Sequence, residues 1–283
     1  MNSVIHGSSF VILLSLGFTS SCATKLNLYE YCAAPAKYAG RSTKEILNRA
    51  KEIVANGKEK RAVVFGLYGN NPKYTEGLMR NLYTFKELYP NWDAVVFMDS
   101  TSVPAEIVAR AKATGAVVKT SRNYNHASAR FYIADMKEYD RFVVRDCDSR
   151  LMLREVAAVA DWIEQDWAIL HGMRDTKGHL DPLLGGMWGA RSQELRNKLQ
   201  AKFGNPSLQA LYEEYIAKKR EGKEAIYGDD QGFLKEVVLQ AVGEESFLSH
   251  ETILCHAFSH SRGFPVMRSA TGPFIGQVVE KIR

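Results

Sequence analysis

Apolar residues recur at two different periods along this chain, and the alternation of the two is its main structural signal. In RSTKEILNRAKEIVAN (41–56), Ile46, Leu47, Ala50, Ile53 and Val54 fall on one face at helical spacing, which predicts an amphipathic helix. Continuous apolar runs follow at AVVFGL (62–67), DAVVFMD (93–99), AVVKT (116–120) and RFVVR (141–145). Helical patterns separate them, from about Tyr74 to Leu88, from near Pro104, and from about Ala127 to Tyr139. Short Val-rich strands joined by single helices predict a mostly parallel α/β sheet of Rossmann type with helices on both faces. Ligands of such sheets sit beyond the carboxyl ends of the strands. The second half is less regular: WAIL (167–170), the Gly-rich LLGGMWGA (183–190), helices from about Ser207 to Arg220 and from about Asp229 to Val242, and a tail rich in His, Phe and Gly. No internal repeat or low-complexity linker interrupts the chain, so a single domain is expected.

Composition narrows the function classes. With 283 residues, 46% hydrophobic and 24% charged, the chain can bury a sizeable core, which excludes disorder. The net charge of +5 is spread thinly, with both signs alternating along the predicted helices. It suits an anionic small molecule, and no basic block or RNA-binding signature points to nucleic acid. The four cysteines, Cys22, Cys32, Cys147 and Cys255, have no CxxC spacing and are too few for a disulfide scaffold, so the fold is expected to be held by its core. Residues 1–24 read as a signal peptide or membrane-targeting leader, with an apolar run from Phe10 to Phe18 too short to span a bilayer. A lipoprotein-type cut before Cys22 is one alternative, and the n-region lacks Lys and Arg. The expected location is the secretory pathway or a membrane surface, or the cytoplasm if the leader is not a true signal. Residues 25–60 form a helical extension, and 61–283 the α/β domain.

Candidate chemistry concentrates at RDCDSR (145–150). Asp146 and Asp148 follow the predicted fourth strand, where a ligand is expected, and two carboxylates one residue apart can reach a single divalent cation. The alternative is that they form salt bridges with Arg145 and Arg150. Cys147 between them is no nucleophile candidate, because flanking carboxylates raise a thiol pKa. LLGGMWGA lacks the Lys-Ser or Lys-Thr ending of a P-loop. Its Gly185 and Gly186 instead let backbone approach a sugar or phosphate, and Trp188 is either a wall for a pyranose face or core filler. In YGDDQGFL (227–234), Asp229 and Asp230 open a helix, where capping and the helix dipole favour carboxylates.

The order of these motifs carries a resemblance. FVVRDCDSRL, then HGMRDTKGHLDPLLGGMWGAR, with GLYGNNPKY, LYPNWDAVVFMD, YGDDQGFL, GFPVMR and FIGQV, resembles the DxD-containing, nucleotide-sugar glycosyltransferases of the GT-A fold, over roughly residues 62–280. It is nearest to those with RDxDSR, MRD and GGMWG. The resemblance implies a GT-A-like domain over 61–283 that moves a sugar from a nucleoside-diphosphate sugar to a hydroxyl acceptor on a glycan, lipid or protein. It implies that Asp146 and Asp148 bind Mn²⁺ or Mg²⁺, with Asp148 the more direct ligand, and that His250 completes the shell, with His256 and His260 competing for that place. Tyr68 and Asn70, in the loop after the first strand, would receive the base, or simply form a turn. Asp230 would face the acceptor as catalytic base in an inverting reaction, or orient a substrate in a retaining one. Arg174, Asp175 and His179 are candidates for donor or acceptor groups, and Arg130 and Arg145 for phosphate, each with an internal ion pair as the alternative. Competing functions are a DxD phosphohydrolase, disfavoured by Arg150 two residues after the second Asp, and a non-catalytic sugar- or nucleotide-binding lipoprotein of the same fold.

Overall fold

A computed structural model of the chain describes residues 32–221, 226, 228–269 and 271–280. The leader and Tyr227 lie outside the described residues. Helix α1 (Thr43–Ala55) opens with a capping box: Glu45 N donates to Ser42 Oγ, and Ser42 N to the Glu45 carboxylate at 2.7 Å. Its Ile46, Ala50 and Val54 are buried against α4 (Leu153–Ile163), so the extension shares the core of the sheet domain.

The strands are β1 (Arg61–Leu67), β2 (Asp93–Asp99), β3 (Val117–Ser121), β4 (Arg141–Arg145), β5 (Leu170–Arg174), β6 (Met187–Arg191), β7 (Phe247–Glu251) and β8 (Ser261–Gly263). They form one eight-stranded sheet in the order β3-β2-β1-β4-β6-β5-β7-β8. All neighbours are parallel except β6, which runs antiparallel to both β4 and β5. This is the mostly parallel α/β domain that the apolar runs predict. The runs are continuous because both faces are covered. Val63, Phe65 and Val143 pack on one face with α2 (Pro72–Leu88), α3 (Ala105–Ala113) and α4, while Val64, Phe142, Val144 and Trp188 pack on the other. The chain runs from β1 to β2 on one side and returns to β4 on the other, so the carboxyl ends of β1 and β4 flank the point where the sheet order reverses.

Four features differ from the sequence expectation. Ala127–Asp135 is a 3₁₀ helix rather than an α-helix to Tyr139, because it is buried on nearly every side and has no solvent face to define an amphipathic period. The helix expected over 229–242 is broken into α7 (Asp229–Phe233), a π-helical turn (Leu234–Leu239) and α8 (Gln240–Val242). Between them and β6 lie α5 (Ser192–Phe203) and α6 (Leu208–Arg220), of which only α6 was expected. The core also has covalent help. Cys32 and Cys255 form a disulfide across 223 residues, with Cα atoms 5.1 Å apart, tying the start of the described chain to the loop after β7. Among the described residues no helix is long and apolar enough to cross a membrane.

Candidate functional site

The loop leaving β4 is held so that its middle residue, Cys147, faces the core while both acids line a cavity. The Cys147 thiol is buried and donates to Gly66 O at 3.2 Å, on β1. Burial, then the flanking Asp146 and Asp148, pushes this thiol up, which leaves it protonated and chemically idle. The loop is clamped by Asn81 of α2, which donates to Ser149 O at 2.9 Å and accepts from Leu151 N at 3.2 Å. Gly77 lets α2 come this close, since a side chain there would collide with Cys147 O.

Asp146 and Asp148 therefore stand at the wall of a cavity of about 780 Å³ at the carboxyl ends of β1 and β4. Asp146 pairs with Arg130, which the buried 3₁₀ helix supplies, and the other Nη of Arg130 lies 3.4 Å from Asp230 Oδ2 on α7. Burial opposes the Arg130 charge, but Asp146 and Asp230 outweigh it, so the guanidinium stays charged. Asp148 Oδ2 is 3.1 Å from Lys73 Nζ, in the first turn of α2. The Gly185-Gly186 pair before β6 passes directly against these acids. A side chain on Gly185 would overlap Asp230 Oδ2, and one on Gly186 the Asp146 carboxylate. Glycine is required here for close approach.

Aromatic and neutral polar groups complete the lining. Tyr68 and Tyr74 flank the mouth, 47% and 38% exposed. His126 stacks on Tyr212 at 5.7 Å, and burial lowers its pKa. His179 accepts from Asp175 N at 3.0 Å through Nδ1, and burial lowers its pKa to about 4, so it is a neutral imidazole at the cavity wall. The C-terminal segment closes one side: Phe274, Gly276, Gln277 and Val278 line it, and Val279 N donates to Asp148 O at 2.9 Å.

Of the residues singled out in the sequence, the structure thus gathers Tyr68, Arg130, Asp146, Asp148, Gly185, Gly186 and Asp230 around one cavity. Others go elsewhere. His250 is fully buried on β7, with Nδ1 2.9 Å from His171 Nε2 and Nε2 3.0 Å from Asp161 Oδ2. Both ring nitrogens are engaged, and β7 lies three strands from β4, roughly 14 Å at the usual strand spacing, so His250 is not placed to share a metal with the acids. His256 and His260 do not line the cavity either. Trp188 is core, edge-on to Phe131 and Phe142, because β6 pairing places it opposite Val144. Arg145 is buried against Glu155 at 3.0 Å, and Arg174 against Glu251 at 2.8 Å. Asn70 is exposed in the turn beyond Tyr68 and lines no part of the cavity. Asp229 binds Arg220 and Ile226 N, so it anchors the helix start while Asp230 faces the cavity. Lys73 and Tyr74 were not singled out although they lie inside GLYGNNPKY, and Tyr212 of α6 belongs to none of the motifs, so nothing in the sequence marked it.

The donor set bears on the metal that the resemblance implies. No cluster of three or more His, Cys, Asp or Glu side chains suited to a metal occurs among the described residues. Two carboxylates one residue apart still fit a hard cation such as Mg²⁺ or Mn²⁺, which takes one or two carboxylates and completes its shell with water and phosphate oxygens.

No protein-family model matches the chain, and comparison with curated proteins finds no match. Solved structures with a related chain path include the glucosyl-3-phosphoglycerate synthase of M. tuberculosis, at 14% identity over 79% of this chain and 77% of that one, TM-score 0.47. Another is the mannosyl-3-phosphoglycerate synthase of Rubrobacter xylanophilus, at 11% identity over 80% and 72%, TM-score 0.46. A third is the mannosyltransferase PcManGT of Pyrobaculum calidifontis, solved with GDP-Man and Mn²⁺, at 14% identity over 65% and 61%, TM-score 0.38.

Proposed function

We infer that this protein is a glycosyltransferase that moves a sugar from a nucleoside-diphosphate donor to a hydroxyl acceptor. The observation that carries the reading is the convergence of Asp146, Asp148, Arg130, Asp230 and the Gly185-Gly186 backbone on one cavity at the reversal of the sheet. The motif order in the sequence supports it independently. Asp146 and Asp148 would hold Mn²⁺ or Mg²⁺, which as a Lewis acid neutralises the departing diphosphate.

The chain's own groups do the rest. Tyr68 offers an exposed ring to the base at the mouth. Arg130 Nη2, 3.4 Å from Asp230 Oδ2, holds that carboxylate in position, so that Asp230 Oδ2 accepts the proton of the acceptor hydroxyl as the sugar is transferred, in an inverting reaction. The half-closed wall of Tyr212, Phe274 and neutral His179 limits water at the reacting centre. The Cys32–Cys255 disulfide supports maturation in an oxidising compartment, in keeping with a secretory leader.

The test is nucleoside diphosphate release from a panel of UDP- and GDP-sugars with Mn²⁺, with and without EDTA. Turnover that EDTA abolishes supports the reading, and hydrolysis of simple phosphate esters instead would replace it. Because both acids are already neutralised by Arg130 and Lys73, a non-catalytic binding protein is the second reading. It predicts metal-dependent binding without release.

A further inference from the structure

The two acids of the β4 loop are neutralised by cations of very different mobility. Arg130 is 5% exposed, wedged under the sheet, and shared between Asp146 and Asp230. It is itself the buried partner, so it cannot swing out to water as a surface side chain can, and moving it would unpair both carboxylates. Lys73 is another matter. Its side chain is 31% exposed, its Nζ is 3.1 Å from Asp148 Oδ2, and its backbone is the first turn of α2, where Asn71 Oδ1 accepts from Lys73 N at 2.9 Å. A flexible four-carbon stem on a capped helix start gives a fixed base with a swinging charge.

We propose that Lys73 is a charge relay between metal and nucleotide: it holds Asp148 in the ligand-free chain and moves to a phosphate oxygen when a divalent cation takes its place. The inference rests on the glycosyltransferase reading and adds a residue to it. The physical argument is one of competition. A divalent cation and an ammonium cannot both sit on Asp148 Oδ2 without strong like-charge repulsion at this range. Metal binding alone therefore has to expel Lys73 into water. Metal binding together with a diphosphate gives Lys73 a new anionic partner, so each ligand helps the other. The same lysine weakens one ligand alone and strengthens the pair.

The proposal is tested by calorimetry on the whole chain, titrating Mn²⁺ alone and then UDP or GDP in saturating Mn²⁺, for wild type, Lys73→Ala and the size-matched Lys73→Met. Removing the competitor is expected to tighten Mn²⁺ binding alone by about tenfold, and to weaken nucleotide binding in Mn²⁺ by about tenfold, the size of a typical coupling between sites. A merely structural lysine would not move the two affinities in opposite directions. Affinities that both fall, or that both stay unchanged, overturn the proposal. Lys73→Arg keeps the charge and is expected to keep the sign of the coupling. A wild-type chain that binds neither ion nor nucleotide would overturn the parent reading as well, which separates the two failures.

Discussion

A single methyl group placed between Asp230 and Arg130 is expected to disable the site while leaving the fold. In Gly185→Ala the new Cβ overlaps Asp230 Oδ2 and lies 2.8 Å from Arg130 Nη2. Neither neighbour can step aside cheaply. Asp230 Oδ1 accepts from Gln231 N at 2.9 Å, and Arg130 is buried and ion-paired. The strain therefore passes to the loop before β6 and to the start of α7. Overpacking of this kind costs about 1–3 kcal/mol, which lowers the melting temperature by roughly 2–10 °C in a chain of this size. The larger effect falls on chemistry, since a displacement of about 1 Å at a reacting group can cost on the order of a hundredfold in rate. The assay is nucleoside diphosphate release at saturating donor, paired with thermal melting. Gly178→Ala is the control: it lies on the same cavity but its added methyl meets nothing within 4 Å, so the melting temperature should stay where it is. Gly185→Ala with wild-type turnover would refute the packing argument and with it the placement of Asp230 in the reaction.

Three further outcomes are expected. Asp230→Asn should lower kcat by about 10²–10⁴ while leaving donor KM near wild type, because it removes a proton acceptor and not a donor-binding group; an equal loss in donor affinity would assign Asp230 to the donor side. Cys255→Ser should cost about 2–4 kcal/mol of stability and make melting insensitive to reductant, whereas wild type should melt lower when reduced; a wild-type melting temperature indifferent to reductant contradicts the disulfide. Acid should destabilise the chain partly through His179, whose pKa is lowered by burial from 6.5 to about 4. The unfolded chain binds more protons between those values, so the contribution is present above about pH 6.5 and lost as the pH falls toward 4. Buried His171 and His250, also lowered, act in the same direction. Melting of His179→Asn, whose amide oxygen can replace Nδ1, should depend less on pH across that window, and an unchanged slope would contradict the assignment.

The first half of the fold was legible because its strands are buried on both faces and its helices on one, so two clean periods alternate. The acids were legible as candidates for a related reason: charge at the carboxyl end of an apolar strand lies where a parallel sheet takes its ligands. Trp188 misled because residue type alone does not reveal which side of a strand a residue takes, and His250 because sequence order does not reveal that two strands come between β7 and β4. A one-residue difference in register turns a sugar platform into core. Trp188 pairs opposite Val144, and its ring goes with the core face. Ion pairs were equally opaque. Arg145 and Arg174 sit beside the motifs but find buried carboxylates, Glu155 and Glu251, that are ten and seventy-seven residues away in sequence. The Cys32–Cys255 bond had no spacing signature because its two cysteines are 223 residues apart.

The carboxylates ending β4 are proposed to bind a divalent cation together with a nucleoside diphosphate. This is tested most directly by titrating UDP and GDP into the protein with Mn²⁺, with EDTA, and into Asp148→Ala with Mn²⁺. Nucleotide binding with Mn²⁺ is expected, and is expected to be lost both in EDTA and in the variant. Binding of equal strength in all three conditions, or none in any, would contradict it.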